Sequence, residues 1–298
     1  MRPRIGITLG DPMGIGPEVA AKALAAIGPN RAEFVVYAAP ERYSFEHPVA
    51  YRGPDHSDNP TPDERARFCL EALDRAAADA AQGTIDALVT GPLDKAVVRT
   101  RLPSFQGHTE YLGEKAGAER TVMLLDNGEM SVILLTNHVP LREVARRLNA
   151  GDAVEIVRIA RRTLVERLGM EDPPFSFLGL NPHAGEIAPD AEESTVLADA
   201  IARLRAEGID ARGPFAADAY FAKPKTRAQG VTVACYHDQG LIPIKYAGFD
   251  RVVNVTLGLP YLRVSPGHGT AYDIFNQGLA DPRSMARAIE VAITRRIR

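Results

Sequence analysis

Cysteine is almost missing from this chain of 298 residues: only Cys69 and Cys235 occur, so neither a disulfide framework nor a thiolate zinc site is available. Long apolar runs are missing as well. No stretch approaches the roughly eighteen consecutive apolar residues of a membrane-spanning helix, which disfavours membrane insertion. The opening segment MRPRIGITLGDP enters a strand within a few residues and shows no apolar leader with a small-residue cleavage site, so the expected location is the cytoplasm. Charge of one sign is not in excess, with a formal net charge of −3. The arginines are scattered over helical stretches and form no basic block with interleaved aromatics, so nucleic acid is not an expected partner. Internal repeats and low-complexity tracts are absent too.

Hydrophobic residues at 45 % and charged residues at 24 % are the proportions of an ordinary soluble globular protein. The length favours two medium domains over one large one. Strand-like and helix-like patterns alternate: IGITL then PEVAAKALAAI, EFVVYA, PDERARFCLEALDRAAADAA, TIDALVT, a helix near Thr109, a strand around Ile133 and the long stretch DAVEIVRIARRTLVERLG. FSFLGL, a helix from Glu192 to Glu207 and VTVACY follow. This alternation predicts an α/β protein whose parallel sheet carries helices on both faces. The Pro-rich segment from His47 to Pro62 reads as an exposed loop with His47 and His56 solvated, and Gly213 to Gly230 reads as a second loop. Cofactor-like glycines near both ends predict a discontinuous cofactor-binding domain, 1–103 with 240–298. The middle, 104–239, is expected to form the substrate, metal and dimerisation domain.

Three strand-like runs are each followed within a few residues by a histidine: SVILLTNH at His138, FSFLGLNPH at His183 and VTVACYH at His237. A parallel sheet places its strand C-terminal ends on one rim, and three imidazoles with open positions would make a catalytic metal site. Taken singly, each histidine also reads as a turn, loop or core-edge residue. Gly10-Asp11-Pro12-Met13-Gly14-Ile15-Gly16-Pro17-Glu18 follows a strand and opens a helix, as a ligand-approach loop or a plain tight turn would. Thr90-Gly91-Pro92-Leu93-Asp94-Lys95 places a lysine near a helix start, where it is either an anion contact or a solvated surface group. Gly107-His108-Thr109-Glu110 brings an imidazole and a hydroxyl to a helix N-terminus, as anion donors or as a simple cap. Asp238 and Asp218 read equally as histidine-orienting or basic groups and as capping residues. Lys245, Asn254 and Arg263 stand within or beside apolar segments and suggest a shared anionic ligand.

Taken in order, GDPMGIGPE, GHTE, LTNH, NPHAGE, the AD of GPFAAD, YHDQGLIPIKY, VNVTLGLPYLR and SPGHGTAYDI resemble the 4-hydroxythreonine-4-phosphate dehydrogenase family from residue 5 to about residue 282. The resemblance implies a two-domain α/β/α fold of the isocitrate and isopropylmalate dehydrogenase type, with its cleft between domains and a homodimer sharing the active site. It implies a divalent metal (zinc, magnesium, manganese or cobalt) on His138, His183 and His237, one of them reaching in from the partner chain. It further implies substrate contacts from His108, Thr109, Lys245, Asn254 and Arg263, with Asp218, Asp238 and Lys245 as catalytic groups. The implied chemistry is NAD-dependent oxidation and decarboxylation of 4-phosphohydroxy-L-threonine, a small phosphorylated hydroxy acid, in pyridoxal phosphate synthesis. The segment GHGTAYDIFNQGLADP resembles the adenosine-side loop of isopropylmalate dehydrogenases, which puts Gly269, Thr270 and Asp273 beside Gly14 and Gly16 in the cofactor set.

Two departures from the family pattern stand out. Gly267 precedes His268 where the family commonly has aspartate, and the segment after Tyr37 is trimmed. A glycine before that histidine also marks paralogues that oxidise carboxylated dihydrodiols, but those lack GHTE and the arginine matching Arg263. A paralogue acting on a phosphorylated threonate or erythronate, and a non-catalytic metabolite-binding protein, are the other expectations.

Overall fold

The computed structural model describes residues 2–186, 189–223 and 230–295. Its strands are β1 (Arg4–Thr8), β2 (Glu33–Val36), β3 (Ala50–Tyr51), β4 (Ala87–Thr90), β5 (Val122–Asp126), β6 (Ser131–Leu134), β7 (Phe175–Leu178), β8 (Ala211–Phe215), β9 (Val231–Ala234), β10 (Val253–Leu257) and β11 (Leu262–Pro266). They divide between two compact units, Met1–Thr121 with Val253–Arg298, and Val122–Val252. The fold is α/β, as the alternation predicts.

In the first unit the strand order is β3-β2-β1-β4-β11-β10. All neighbours are parallel except β10 and β11. Every residue of β4 is buried, as expected for a strand covered on both faces. Helices Gly16–Ile27 and Arg283–Thr294 pack on each other, and helix Pro62–Ala81 packs on β1 and β4. That helix starts where the sequence places it because Thr61 and Glu64 form a reciprocal capping box, which satisfies two otherwise orphaned groups.

In the second unit the order is β5-β6-β9-β7-β8, antiparallel only between β5 and β6. Leu125, Val132, Leu134, Leu178, Ala234 and Ile244 belong to one buried cluster. Helix His237–Gly248 lies on β6 and β9. Gly240 permits this approach, since a Cβ there would stand 2.7 Å from the Val132 side chain.

Several expectations are corrected. The sheets are mixed, not all parallel, because β5 and β10 run against their neighbours. The unit boundaries fall at 121/122 and 252/253, not at 103/104 and 239/240. The helix carrying His108 packs against helix Pro62–Ala81, where Tyr111 also donates a 2.6 Å hydrogen bond to Asp74. Helix His237–Gly248 belongs to the second core for the reason just given. The loop at His47–Pro62 contains β3, and His56 is not a solvated bystander. Its Nδ1 lies 2.7 Å from Ser57 O, an acceptor only, so Nε2 receives the Tyr43 hydroxyl at 2.7 Å. Its ring also stands edge-on to Phe68. The expected loop at Gly213–Gly230 contains the end of β8 and a helix at Ala217–Ala222, while 224–229 lie outside the described residues.

Helix Arg283–Thr294 buries Met285, Ala288, Ile289 and Ala292 along one face. Ile289→Ala is expected to lower the unfolding free energy by about 2–5 kcal/mol, measured by urea denaturation.

Candidate active site

The site residues of the first unit grow from the register of one antiparallel pair. Asn254 lies opposite Ser265, and Thr256 opposite Arg263, so these four polar residues share a face while Val255 and Val264 take the other. The Arg263 side chain is 2 % exposed. Its Nε and Nη2 donate to Thr90 Oγ1 at 3.1 and 2.5 Å, and Nη1 donates to Thr256 Oγ1 at 3.0 Å. Among the described residues no carboxylate forms an ion pair with it. Burial pulls its pKa down to about 10, against the opposing effect of Tyr261 and Glu110, so the guanidinium stays charged at neutral pH.

His108 begins the helix His108–Lys115, and its Nε2 is buried with no hydrogen-bond partner. Burial first, then the positive charges of Arg263 and Lys95, hold its pKa well below the usual histidine value. Lys95 Nζ comes within 3.5 Å of the point where a Cβ on Gly107 would stand. Asn254 Oδ1 is likewise buried without a partner. An unpaired buried cation beside a neutral imidazole and a helix N-terminus suits an anion that carries its own proton or donor groups.

Within the same unit the two glycine-rich ends of the chain meet. Ile15 N–H donates to Thr270 O at 2.9 Å, and Gly14 packs on Thr270. Asp11 is fully buried. It accepts from Arg65 Nε and Nη2 at 2.9 and 2.6 Å, from the Tyr272 hydroxyl at 2.7 Å and from Met13 N–H at 3.0 Å. The turn is therefore rigid before any ligand binds. Gly16 has a packing reason, since a Cβ there would lie 1.9 Å from Leu9 O. Gly269 has open space around it and Asp273 is exposed. A cavity of about 390 Å³ lies against Pro12, Met13, Gly14, Tyr43, His56 and Phe275.

In the second unit β9 lies between β6 and β7, so the three histidine-bearing turns leave neighbouring strands. The His138 and His237 ring centroids are 5.8 Å apart. His237 Nδ1 lies 2.7 Å from Asp238 Oδ1, so Nδ1 carries the proton and the Nε2 lone pair is available to a cation. His138 and His183 both have positive φ, 21° and 56°, a sparsely populated conformation that costs of order 1–3 kcal/mol and is concentrated at functional sites. Among the described residues no group of three His, Cys, Asp or Glu side chains gathers at metal-binding distances. His183 therefore does not complete a triad with His138 and His237 within one chain.

The structure thus brings His108, Asn254 and Arg263 into one cluster, Gly14 and Thr270 into contact, and His138 beside His237. Thr109 follows His108 on the same helix and is half-buried, and Asp218 and Lys245 belong to the second unit with Asp218 exposed. Three side chains escaped sequence reasoning. Thr90 and Thr256 hold Arg263, and Gln239 joins two strand exits. The alternation of Asn254 and Thr256 along VNVTL was the available signal for Thr256; nothing local marks Thr90, whose role depends on a residue 173 positions away.

His108 carries a pH signature. Its folded-state pKa is depressed, so below the unfolded value of about 6.5 the unfolded chain binds the extra proton and stability falls as pH falls. The slope is at most about 1.4 kcal/mol per pH unit for one group. Urea unfolding of wild type and His108→Asn between pH 5 and 8 should show this part of the slope in wild type only.

A family model, "Pyridoxal phosphate biosynthetic protein PdxA", matches residues 45–292. A protein named 4-hydroxythreonine-4-phosphate dehydrogenase from Burkholderia vietnamiensis is 38 % identical over 320 residues, covering 98 % of this chain and 96 % of that one. The crystal structure of 4-hydroxythreonine-4-phosphate dehydrogenase from Klebsiella pneumoniae superposes with a TM-score of 0.86 at 31 % identity, covering 98 % of this chain and all of the other. A terephthalate 1,2-cis-dihydrodiol dehydrogenase from Burkholderia xenovorans is more distant, with a TM-score of 0.67 at 26 % identity over 99 % of this chain and 98 % of that one. The chain belongs to the PdxA family of pyridoxal phosphate biosynthetic proteins.

Proposed function

We propose that this chain is a 4-hydroxythreonine-4-phosphate dehydrogenase, an oxidoreductase that uses NAD and a divalent cation. It converts 4-phosphohydroxy-L-threonine to 3-amino-2-oxopropyl phosphate, with loss of carbon dioxide, in pyridoxal phosphate synthesis. The observation that carries this reading is the buried, carboxylate-free Arg263 beside the unpartnered His108 and Asn254, because a phosphoryl group supplies the missing negative charge. Arg263 offers the phosphoryl oxygens a planar fork of donors. Thr109 and the amides of its helix N-terminus add further donors, and Lys245 in the second unit is assigned to the substrate as well.

The dinucleotide is assigned to the joined glycine segments, with Gly14, Gly16, Gly269, Thr270 and Asp273 as its contacts; the nicotinamide, when bound, accepts the hydride. The divalent cation is assigned to His138, His183 and His237. The Asp238-held imidazole of His237 and the adjacent ring of His138 fit it as nitrogen donors. When bound there, a cation would supply Lewis-acid chemistry for the substrate hydroxyl. Imidazole ligands suit zinc, while magnesium, manganese and cobalt also serve this kind of reaction. Asp218, Asp238 and Lys245 are assigned to moving the protons.

The active form is proposed to be a homodimer in the cytoplasm. Ile242, Tyr246 and Phe249 form an exposed apolar stripe on the second unit, with Tyr246 94 % exposed, a feature of association surfaces. His183 is also exposed and separate from a same-chain triad, as a ligand shared between copies would be. No described helix is long and apolar enough to cross a membrane.

With NAD, a divalent cation and 4-phosphohydroxy-L-threonine, the purified protein should form NADH. Turnover of a phosphorylated threonate or a dihydrodiol in its place would overturn the substrate assignment. Arg263→Gln should lower kcat/KM by about 10–100-fold, the loss of a hydrogen-bonded charge contact. Tyr246→Asp should shift the protein toward monomer in light scattering.

A further inference from the structure

The strand exits leading to His138, His237 and His183 are tied together by polar groups that the proposed chemistry does not use. Thr136, two residues before His138, donates its hydroxyl to Cys235 O at 2.7 Å, and Leu135 N–H donates to Ala234 O at 2.8 Å. These bonds join the exits of β6 and β9. The exits of β9 and β7 are joined chiefly by the side chain of Gln239. Its Oε1 accepts Cys235 N–H at 2.7 Å, and its Nε2 donates to Gly179 O at 2.7 Å. The β7–β9 ladder pairs residues only as far as Phe177 and Val233. Beyond it, backbone groups need new partners, and a side-chain amide supplies both a donor and an acceptor.

The tie continues into the turn that carries His183. Gly179 leads to Asn181, whose N–H donates to Glu193 at 2.6 Å and whose side-chain amide donates to Glu192 and Glu193 at 2.8 and 3.0 Å. His183 and Ala184 then follow in the left-handed region at φ 56° and 54°, which persists only where the surroundings over-determine it. Cys235 adds a weak thiol bond to Leu178 O at 3.2 Å. Gln239 is thus the direct side-chain bridge between the His237 turn and the strand exit that leads to His183, and it brings no charge.

We propose that Gln239 is the positioning residue of the metal centre, an amide strap that fixes the His237 turn and the strand exit leading to His183 in the places from which each copy presents them to a shared cation. The inference rests on the assignment of the cation to the three histidines. A hydrogen bond that fixes a ligand from behind typically changes metal affinity 10–100-fold when lost.

The test is a titration of cobalt(II) chloride into wild type, Gln239→Met and Gln239→Glu, followed by visible absorption and calorimetry. Methionine keeps the length of the side chain but loses both bonds. Glutamate keeps the acceptor for Cys235 N–H and loses the donor to Gly179 O. Cobalt affinity is expected to drop about 10–100-fold in Gln239→Met, with an altered absorption envelope, and by an intermediate factor in Gln239→Glu. Sulfate affinity, which reads the Arg263 cluster in the other unit, should stay unchanged in both variants. Equal cobalt affinity and spectra in all three proteins would overturn the inference, and so would a matching loss of sulfate binding, which marks a general structural role. Failure of wild type itself to bind cobalt would instead remove the metal assignment on which the inference rests.

Discussion

Arg263 brings a permanent positive charge into a buried position, where among the described residues its guanidinium hydrogen-bonds the hydroxyls of Thr90 and Thr256. Burying a charge without a partner costs several kcal/mol even after relaxation, so the surrounding architecture must hold it there. The pairing of β10 with β11 and of β11 with β4 does this, placing Thr256 and Thr90 on either side of the same side chain. A bound anion would offset that cost. His108 responds to the same charge: burial and two nearby cations lower its pKa, and its Nε2 is buried with no hydrogen-bond partner. A buried, carboxylate-free guanidinium is suited to ligand charge, which is why a phosphorylated substrate is proposed for the first unit.

The second unit uses backbone strain where the first uses charge. Two of its three histidines sit at positive φ, and the turns that carry them are anchored by Thr136, Gln239 and Asn181. The side-chain amide of Gln239 and the carboxylate of Glu193, which accepts from Asn181 N–H, satisfy backbone groups left over where the parallel ladder ends. The placement of these histidines therefore depends on how the strands stop.

Much of this was readable from the chain. Short apolar runs bounded by Gly and Pro marked β1, β2, β4, β7 and β9, and Thr61 with Glu64 marked a helix start. The regions that escaped are those whose structure depends on distant partners. β8 passes through Gly213 and Pro214, residues with strong turn chemistry, and is a strand because β7 offers a pairing edge. β5 runs antiparallel to β6 through a short turn that no periodicity announces. His56 sits among loop-forming residues, yet Tyr43, Ser57 and Phe68 give it a defined place. The unit boundary was displaced by more than ten residues on each side, because helix packing decides it.

The sequence by itself determined which chemistry is present: the histidines behind strand-like runs, the glycine turns near both ends and the polar residues alternating through VNVTL and LRVSP. It also determined the α/β class, since hydrophobic periodicity is a local property. Only the tertiary structure decided which of these residues meet. Strand order set β9 between β6 and β7 and so paired His138 with His237 but not with His183. Register set Thr256 opposite Arg263, and Thr90 was recruited across 173 residues. Hydrogen bonds between strands form between residues remote in sequence, and the polarity of a single residue carries no information about its partner.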